Sequence, residues 1–517
     1  MPEETTPYDQ VHYPGFPFRD AHPDHLSVLA TLLGMEPAPV RTCRVLELGC
    51  GEGGHLLPIA YQWPESELIG VDLSREAIER GACVAAEMEL TNVQLLHRNL
   101  MELGPDLGHF DYIVAHGVFA WVPEPVRAKI LGIIGQHLTP NGIAYISYNA
   151  YPGSHLRNIA REIMLYGSAD ARTADEKVRH ARGLLSSLAG AASTEGLYGV
   201  ALRVENERVS KLADAVLFHD DLDRASTPFW LHEVVAMAGQ FGLQYLCEAN
   251  LSHSALAHHE SRVMAALAPL SEQDLFSRDQ FLDFLEGHGF HKTLLCRATV
   301  PLRQSVDPQC LTKLYLAGFI APATNEVDLG AESETQFKTR TGGTLSTNHP
   351  LAKAALLCLA QGWPEAIGFT SLADQATELL DRAGRTPASA APQDLTGLAN
   401  MFLQAFWAGH IDLHMCPPPL TSHVSERPEV SRLARKQAEA AAVVTNLQHG
   451  VVALEDPIVL AFLPLADGTR DIQQLTAELT TVLAGRNGVD QQSGGGITPE
   501  TVADNLQRLA SLALLIR

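Results

Sequence analysis

A glycine-rich turn between an apolar stretch and a helical pattern is the part of this sequence best suited to bind a nucleoside. The run VLELGCGEGG occupies residues 45–54. Glycine has no Cβ atom, so the chain can turn tightly here and its backbone can approach a ligand. Glu47 lies at the strand end, where it can face a positively charged amino group instead of a pyrophosphate. A P-loop is excluded because no Gly-Lys-Ser/Thr follows, but a dinucleotide-binding loop remains a competing interpretation.

Two further predicted strands end in polar side chains. Asp72, within the run IGVDLS (69–74), is the last residue of the second strand and lies about twenty residues beyond the glycines. A carboxylate at this position can accept hydrogen bonds from both hydroxyls of a ribose. A solvated surface carboxylate is the alternative interpretation of Asp72. The next strand leads into Asn99 and Leu100, and the Asn99 amide can contact an adenine edge. With an amino group facing Glu47, these contacts predict S-adenosylmethionine as the cofactor.

The fourth and fifth predicted strands carry the candidates for chemistry. Ligands of open α/β sheets bind outside the carboxyl ends of the strands, which places His116, Gly117 and Trp121 beside the sulfonium. His116 can accept a proton or can only shape the pocket by hydrogen bonding, and both interpretations stay open. The run YISYNAYPG (145–153) sets two aromatic side chains and an amide, including Tyr148, Asn149 and Tyr151, at the same edge of the sheet.

Methyl transfer is a displacement at a carbon that the sulfonium already activates, so positioning and desolvation can supply most of the rate enhancement. A nitrogen acceptor must arrive neutral, and tyrosine hydroxyls, Asn149 and His116 could orient such an amine. Aromatic faces tolerate the cationic product. No DPPY-like tetrapeptide and no metal-ligand cluster is visible, so the acceptor cannot be derived from these residues alone.

Alternating apolar runs and helix-length segments between residues 44 and 151 predict a parallel sheet covered by helices. After about residue 165 the pattern becomes helix-rich, and apolar spacing over Phe218 to Leu251 predicts an amphipathic helix in a second domain. The end of the chain predicts a small, winged-helix-like domain. The strand candidates are Arg44 to Leu48, Glu67 to Asp72, Val93 to His97, Tyr112 to Ala115 and Ile143 to Tyr148.

The composition limits the partners and the location. A chain of 517 residues is too long for one hydrophobic core, and its formal charge of −23 disfavours nucleic acid and anionic membranes. No run approaches the length of a membrane-spanning helix and the N-terminal residues do not resemble a signal peptide, so we expect a cytoplasmic protein without membrane insertion. The eight cysteines form no CxxC pair, and no metal site is predicted.

The motifs together resemble those of a known family. VLELGCGEGG, IGVDLS, FDYIVAHGVFAWVP (110–123) and YISYNAYPG are similar to bacterial protein lysine methyltransferases that carry a methyltransferase regulatory domain, the group that includes methylators of outer-membrane proteins. The likeness continues in segments near Leu217–Asp220, Phe241–Ala249 and Thr445–His449. Three positions depart from the expected pattern: His55 stands for an Asn, Ala120 for a Ser, and Ala466 interrupts a Leu-Asp-Gly turn.

The resemblance implies a class I, Rossmann-like α/β catalytic domain whose N-terminal segment, around Tyr8, Tyr13 and His22, closes over the cofactor. It also implies helix-rich domains that help to hold a polypeptide acceptor. The expected domains are residues 1–168 (cofactor-binding methyltransferase domain), 169–325 (helical methyltransferase regulatory domain), 326–424 (helical middle or linker region) and 425–517 (winged-helix-like α+β domain). The candidate catalytic residues are Tyr13, His116, Trp121, Tyr148, Asn149 and Tyr151. The candidate cofactor-binding residues are Tyr8, Tyr13, Glu47, Gly49, Cys50, Gly51, Gly53, Asp72, Leu73, Ser74, Asn99, Leu100, Ala115, His116 and Gly117.

The leading hypothesis is S-adenosylmethionine-dependent N-methylation of a side chain, a lysine, in a protein or peptide. One alternative is methylation of oxygen or an amide nitrogen in a small metabolite or biosynthetic peptide. Another is a regulator that binds the cofactor without catalysis. The sequence leaves the acceptor, the number of methyl groups added and the oligomeric state open.

Overall fold

The structure of the chain is a computed structural model. The predicted contact by Tyr8 lies outside the residues that it describes. The described residues are 11–13, 15–250, 275–303, 305–324, 326–330, 333–385, 392–485 and 497–516.

A seven-stranded sheet forms the centre of the described N-terminal half. Its strands are β1 (Arg44–Leu48), β2 (Glu67–Asp72), β3 (Val93–His97), β4 (Phe110–Ala115), β5 (Leu138–Asn149), β6 (Leu243–Glu248) and β7 (Phe290–Arg297). The order across the sheet is β3-β2-β1-β4-β5-β7-β6. Strands β1 to β5 pair in parallel, and β7 pairs antiparallel with β5 and β6. The predicted parallel α/β sheet is confirmed, and β4 and β5 begin earlier than predicted.

Helices cover both faces of this sheet. Those preceding the end of β5 are α1 (Pro23–Leu32), α2 (Leu56–Gln62), α3 (Arg75–Glu87) and α4 (Glu124–His137). Buried side chains such as Tyr112 and Tyr145 pack on the face with α1, whereas Ile146 and Tyr148 pack on the opposite face with α4. Helix α3 begins at Ser74, whose Oγ accepts a hydrogen bond from the Ala77 N–H at 3.2 Å. Because the strands are parallel, the ends of β1 to β5 that carry the predicted site meet at one edge.

The chain leaves the sheet after β5 and returns to it at β6. The helices of this insertion are α5 (Ser154–Gly167), α6 (Ala174–Ala191), α7 (Leu197–Ser210), α8 (Asp214–Asp220) and α9 (Leu231–Gly239), and α10 (Leu275–Glu286) lies between β6 and β7. The amphipathic helix expected within Phe218 to Leu251, from apolar residues between Leu231 and Phe241, is present as α9, which is shorter than that stretch. Gly242, with a φ of +72°, follows α9, and the alternating residues after it form β6.

The middle of the chain is helix-rich, as expected, and also contains short strands. Its elements are β8 (Tyr315–Ala317), β9 (Ile320–Pro322), β10 (Thr335–Thr339), β11 (Thr344–Thr347), α11 (Pro350–Gly362), β12 (Ile367–Gly368), α12 (Phe369–Arg382), α13 (Pro392–Trp407) and β13 (Asp412–His414). Buried side chains of α11 to α13 share one hydrophobic core with α1. The middle region thus packs directly against the catalytic sheet.

A separate core of aliphatic side chains and Phe462 holds the end of the chain together. Its elements are α14 (Arg432–Ala438), β14 (Val443–Thr445), β15 (Val451–Ala453), α15 (Pro457–Phe462), α16 (Ile472–Gly485) and α17 (Pro499–Ser511). The Arg432 N–H donates to the Tyr61 hydroxyl at 3.0 Å, which joins this small α+β domain to α2.

Candidate active site

The glycine turn after β1 has the backbone conformation that its composition predicts. Gly49, Gly51 and Gly53 have φ values of +77°, +53° and +77°, a region that favours glycine. The Gly49 and Cys50 N–H groups donate to the Val71 carbonyl at 2.8 and 3.1 Å, which ties the turn to β2. A Cβ atom on Gly49 would lie 2.2 Å from the Val118 side chain. The turn is therefore closely packed on one side, whereas a Cβ atom on Gly51 would meet open space.

Asp72 holds the turn and the start of α3 together. Its two carboxylate oxygens accept hydrogen bonds from the Gly51 N–H and the Ser74 N–H, each at 2.8 Å. These bonds orient the carboxylate at the carboxyl end of β2, where each oxygen has a further lone pair. The geometry fits a group that receives two neighbouring hydroxyls, as the sequence predicts for a ribose.

Glu47 is a buried carboxyl group without a cationic partner among the described residues. Its side chain is 3% exposed, and its Oε2 atom has no hydrogen-bond partner among the described residues. Burial raises the pKa of Glu47 well above its usual range, and the negative charge of Asp72 raises it further. A buried acceptor without a partner is costly, so a ligand ammonium group would satisfy this site. The residues present therefore fit the amino group of S-adenosylmethionine.

The loop after β3 contributes an amide and apolar surface. The Asn99 Oδ1 atom accepts a hydrogen bond from the Met101 N–H at 3.0 Å. This bond leaves the Asn99 –NH₂ group as the donor that could reach an acceptor nitrogen of adenine. The Leu73 side chain, which is 40% exposed, and the partly buried Leu100 add apolar contacts at this edge.

His116 is buried in an aromatic environment after β4. Its Nδ1 lies 2.9 Å from the Tyr145 hydroxyl, and its ring stacks on Phe18 with centroids 3.5 Å apart. Burial disfavours the imidazolium and lowers the pKa of His116 to about 3. The neighbouring Gly117 N–H donates to the Ser147 Oγ at 2.8 Å. A neutral imidazole with so low a pKa is a weak base, so this environment favours a role in shaping the pocket.

Two candidate catalytic residues do not lie with the others. Tyr148 is 1% exposed and its hydroxyl lies 2.9 Å from the Thr293 Oγ1, on the sheet face that carries Phe119. Trp121 packs against the same core. Tyr148 and Asn149 are the last two residues of β5, but their side chains point to opposite faces of the sheet, so they do not form one cluster.

Asn149 and Tyr151 lie where β5 meets the helical insertion. The Asn149 Nδ2 donates to the Ser226 Oγ at 2.9 Å. The Tyr151 ring stacks on His155 at 4.3 Å and approaches Trp230 at 5.4 Å. Both side chains thus contact the insertion rather than His116, and they form a neighbouring part of the same edge.

The N-terminal segment crosses the turn. The Gly15 N–H donates to Glu52 Oε1 at 3.0 Å, and the ring of Tyr13 packs edge-on against His219 at 5.5 Å. Burial raises the pKa of Tyr13 to about 12, and Asp220 adds to this shift. Phe18, further along the segment, stacks on His116. The described part of the segment therefore links α8, the glycine turn and β4.

Sequence reasoning missed a contact among three histidines from distant segments. The His449 Nε2 lies 2.9 Å from the His55 Nδ1, which also accepts from the Phe18 N–H at 3.3 Å. The His22 ring packs 4.6 Å from that of His449, so His22 lies at the C-terminal domain rather than over the glycine turn. Burial lowers the pKa of His55 to about 3 and keeps the imidazole neutral. The departure from Asn at position 55 was the signal, but one sequence could not link it to residue 449.

Within the described ranges, no group of three or more His, Cys, Asp or Glu side chains is arranged to hold a metal ion. No helix in the same part of the chain combines the length and apolarity needed to cross a bilayer.

The sheet order, the glycine turn tied to Asp72 and the buried Glu47 define a class I methyltransferase that uses S-adenosylmethionine. Comparisons with known families agree. Residues 45–142 match the family described as a methyltransferase domain, residues 213–297 match a predicted methyltransferase regulatory domain, and residues 426–514 match the C-terminal winged helix domain of PKMT proteins.

Individual relatives extend the similarity over most of the chain. The protein RP789 of Rickettsia prowazekii is 30% identical over 452 residues, which cover 86% of this chain and 80% of the relative. The solved structure of PKMT2 from Rickettsia typhi has a TM-score of 0.87 and 26% identity, and it matches 98% of this chain and 100% of its own. The same protein has been solved in complex with AdoHcy, the demethylated cofactor. The chain belongs to the bacterial protein lysine methyltransferase family with a methyltransferase regulatory domain.

A more limited similarity joins the chain to enzymes of small molecules. The trans-aconitate 2-methyltransferase of Deinococcus radiodurans is 26% identical over 142 residues, which are 28% of this chain. That likeness therefore concerns a part of the chain no longer than the cofactor-binding region.

Proposed function

We propose that this enzyme transfers a methyl group from S-adenosylmethionine to the side-chain nitrogen of a lysine in a protein or peptide. The observation that carries the proposal is the similarity to PKMT2, which extends over 98% of the chain. A metabolite enzyme needs only the catalytic sheet, whereas this similarity includes the regulatory and winged-helix parts. Those parts supply the extended surface that a polypeptide acceptor requires.

For the cofactor, we assign the ribose hydroxyls to Asp72, the amino group to Glu47 and an adenine nitrogen to the Asn99 amide. The glycine turn and Ala115 to Gly117 supply close backbone approach. When bound, S-adenosylmethionine supplies a methyl group that its sulfonium activates. Two observations support the assignments: Gly51 and Ser74 orient the Asp72 carboxylate, and Glu47 has a buried oxygen without a hydrogen-bond partner among the described residues.

For the acceptor, the chain must orient a neutral amine and exclude water. Burial raises the pKa of Tyr145 well above its usual range, so its hydroxyl keeps its proton beside His116. His116 is also neutral, and neither group adds a charge that would oppose a cationic amine. Phe18 covers the imidazole and limits access of water. In this proposal His116 positions groups by hydrogen bonding and stacking.

Several expectations remain predictions. These are the closing of the N-terminal segment around Tyr8, Tyr13 and His22 over the cofactor, the cytoplasmic location, and the boundaries at residues 168, 325 and 424. Strands β6 and β7 belong to the catalytic sheet although they lie beyond residue 168, so a cut at that boundary would remove part of the sheet. The oligomeric state remains open.

Methylation of a small metabolite is the second candidate, and the similarity to trans-aconitate 2-methyltransferase favours it. That similarity extends over 142 residues, and enzymes with many different acceptors can share a fold. It does not account for the regulatory and C-terminal parts. We therefore rank this candidate below lysine methylation.

The test combines calorimetric titration with S-adenosylhomocysteine and mass analysis of acceptors. Purified enzyme, cofactor and a set of proteins and lysine-containing peptides are incubated, with the Asp72→Ala variant as the inactive control. The expected result is cofactor binding and a mass increase in single-methyl steps, mapped to lysine. Labelling of metabolites alone would support the second candidate, and binding without methyl transfer to any acceptor would support a non-catalytic regulator.

A further inference from the structure

Aromatic side chains form a continuous strip from the end of β5 to the outer face of α10. Tyr151 lies 5.4 Å from Trp230, Trp230 lies 5.5 Å from Phe284, and Phe284 lies 6.0 Å from Phe281, measured between ring centroids. His155 stacks on Tyr151 at 4.3 Å. These five residues are called the aromatic strip below. Each ring contacts the next, so three separate segments present one surface.

The far end of the strip faces solvent. The side chains of Phe281 and Phe284 are 39% and 50% exposed, and the adjacent Leu285 is 53% exposed. Contiguous exposed apolar surface in a folded protein commonly marks an interaction site, because covering it with a partner is favourable. Trp230 and Tyr151 are partly buried and fix the near end. The strip is therefore partly buried at its near end and accessible to solvent at its far end.

The near end of the strip lies beside the end of β5 that carries the candidate active site. Tyr151 follows β5 by two residues, and in β5 the Ser147 Oγ accepts from the Gly117 N–H. The Tyr151 N–H donates to the Phe229 carbonyl at 2.9 Å, which joins β5 to the residue before Trp230. A chain that places one side chain beside Gly117 could therefore extend along the strip.

The charges beside the strip suit a basic segment. Glu233 and Glu286 are exposed near Trp230 and Phe284, with Glu286 Oε2 2.7 Å from His288 Nε2, and the whole chain has a formal charge of −23. Glu233 accepts a hydrogen bond from the Trp230 N–H at 3.0 Å, which places its carboxylate at the strip. Aromatic faces attract ammonium groups and also pack against apolar side chains. An acidic or phosphorylated partner would be repelled here.

We propose that the aromatic strip binds an extended segment of the acceptor in which apolar residues flank the target lysine. The inference rests on the proposed function, since it concerns the same acceptor. The strip would hold the flanking aliphatic or aromatic side chains while the lysine reaches the edge of the sheet near Gly117. It would select acceptor segments that are unfolded or exposed, because folded proteins bury such apolar flanks.

The experiment uses two fluorescently labelled peptides that each contain one lysine. In the first peptide the flanking residues are Phe and Leu, and in the second they are Ser. Binding to the full-length enzyme is measured by anisotropy in the presence of S-adenosylhomocysteine, which does not depend on catalysis. The double variant Phe281→Ser/Phe284→Ser is compared with Leu197→Ser, which removes an exposed leucine of α7 outside the strip.

We expect the wild type and Leu197→Ser to bind the apolar peptide about tenfold more tightly than the serine peptide. The double variant should lose that difference, and its KM for the apolar peptide should rise about tenfold with little change in kcat. Equal binding of the two peptides by the wild type would overturn the proposal. So would an unchanged preference in a double variant that still binds the cofactor.

The result separates this inference from the proposed function. If the apolar peptide binds through the strip but no lysine gains a methyl group, the result contradicts lysine methylation and still supports the strip as a binding surface. If both peptides are methylated with equal KM values, then lysine methylation stands and the strip has no role in selection.

Discussion

The two sides of the candidate site are built differently. The cofactor side consists of strand ends and turns that follow one another in the sequence, from Glu47 through Asp72 to Gly117. The closing side is assembled from distant segments: Phe18 covers His116, and His449 of the C-terminal domain contacts His55 beside the turn. Local backbone geometry therefore determines the elements of the cofactor side, whereas the contacts of the closing side depend on the tertiary fold. Substitutions on the two sides should therefore differ in how strongly they change cofactor affinity and in whether they mainly change affinity or stability.

The largest effect is expected on the cofactor side, from Asp72→Ala. This change removes the acceptor for the predicted ribose hydroxyls and also releases the Gly51 and Ser74 N–H groups. Hydrogen bonds to a charged group contribute about 1.5–3 kcal/mol each, so the dissociation constant for S-adenosylhomocysteine should rise about 100-fold or more. Calorimetric titration measures it, with the exposed Asp106→Ala as the matched control. An unchanged affinity in the folded variant would move the cofactor away from β2.

For Glu47→Gln we expect a smaller loss of cofactor affinity together with a gain in the stability of the cofactor-free protein. The amide keeps the shape but loses the negative charge, so cofactor affinity should fall about tenfold. In the cofactor-free protein the same change should raise the melting temperature, because burial raises the pKa of Glu47 and ionisation in the folded state is costly. The exposed Glu102→Gln is the matched control for both measurements.

The effect of Glu47→Gln on stability should depend on pH, and the raised pKa of Glu47 determines its direction. Folded Glu47 holds its proton more tightly than the unfolded residue does, so the wild type loses stability as pH rises from the ordinary glutamate pKa to the raised one. Glu47→Gln lacks this loss. Its advantage should be absent at about pH 4 and present at about pH 8 in thermal unfolding without cofactor. If the variant and the wild type have equal melting temperatures at about pH 4 and again at about pH 8, then Glu47 has a partner in the free enzyme.

The closing side should respond more weakly and at longer range. His449→Ala removes the His55 contact but leaves the Phe18 N–H bond in place. Loss of a buried hydrogen bond costs about 1–3 kcal/mol, so thermal unfolding should begin at a lower temperature. We expect cofactor affinity to fall only about threefold, because the bonds of Asp72 remain. The exposed His423→Ala, in the same part of the chain, is the control. If His449→Ala lowered cofactor affinity as much as Asp72→Ala does, the two sides of the site would not differ in their contribution to cofactor binding.

The sequence predicted the strands and the glycine turn of the cofactor side because their determinants are local, whereas the cofactor contacts of individual residues stay predictions. The positive φ angles at Gly49 and Gly53 favour glycine, and a carboxylate at the end of an apolar strand is placed by the strand itself. The same reasoning located β1, β2 and β3 to the residue. Parallel pairing then fixed which strand ends meet.

The closing side could not be predicted because its contacts join residues far apart in the chain. Nothing near His55 indicates His449, and β6 was hidden in a pattern that also suits a helix until Gly242 interrupted it. Tyr148 shows a different limit. Its neighbour Asn149 contacts the insertion, but alternation along β5 turns Tyr148 toward Thr293.

The smallest effect is expected where the two sides meet, at His116. Burial lowers the pKa of His116 to about 3, so the imidazole is neutral throughout the range in which the enzyme can be assayed. His116→Gln should reduce kcat about twofold through the lost stacking on Phe18, and the pH profile of kcat/KM between about pH 6 and 9 should keep its shape. If His116 instead accepted the proton of the acceptor amine, the substitution would lower kcat about 100-fold or more, because the loss of a general base commonly costs that much. Since both proteins are compared at equal cofactor saturation, a loss of that size would assign proton transfer to His116, and a twofold loss would leave it as a positioning residue that stacks on Phe18.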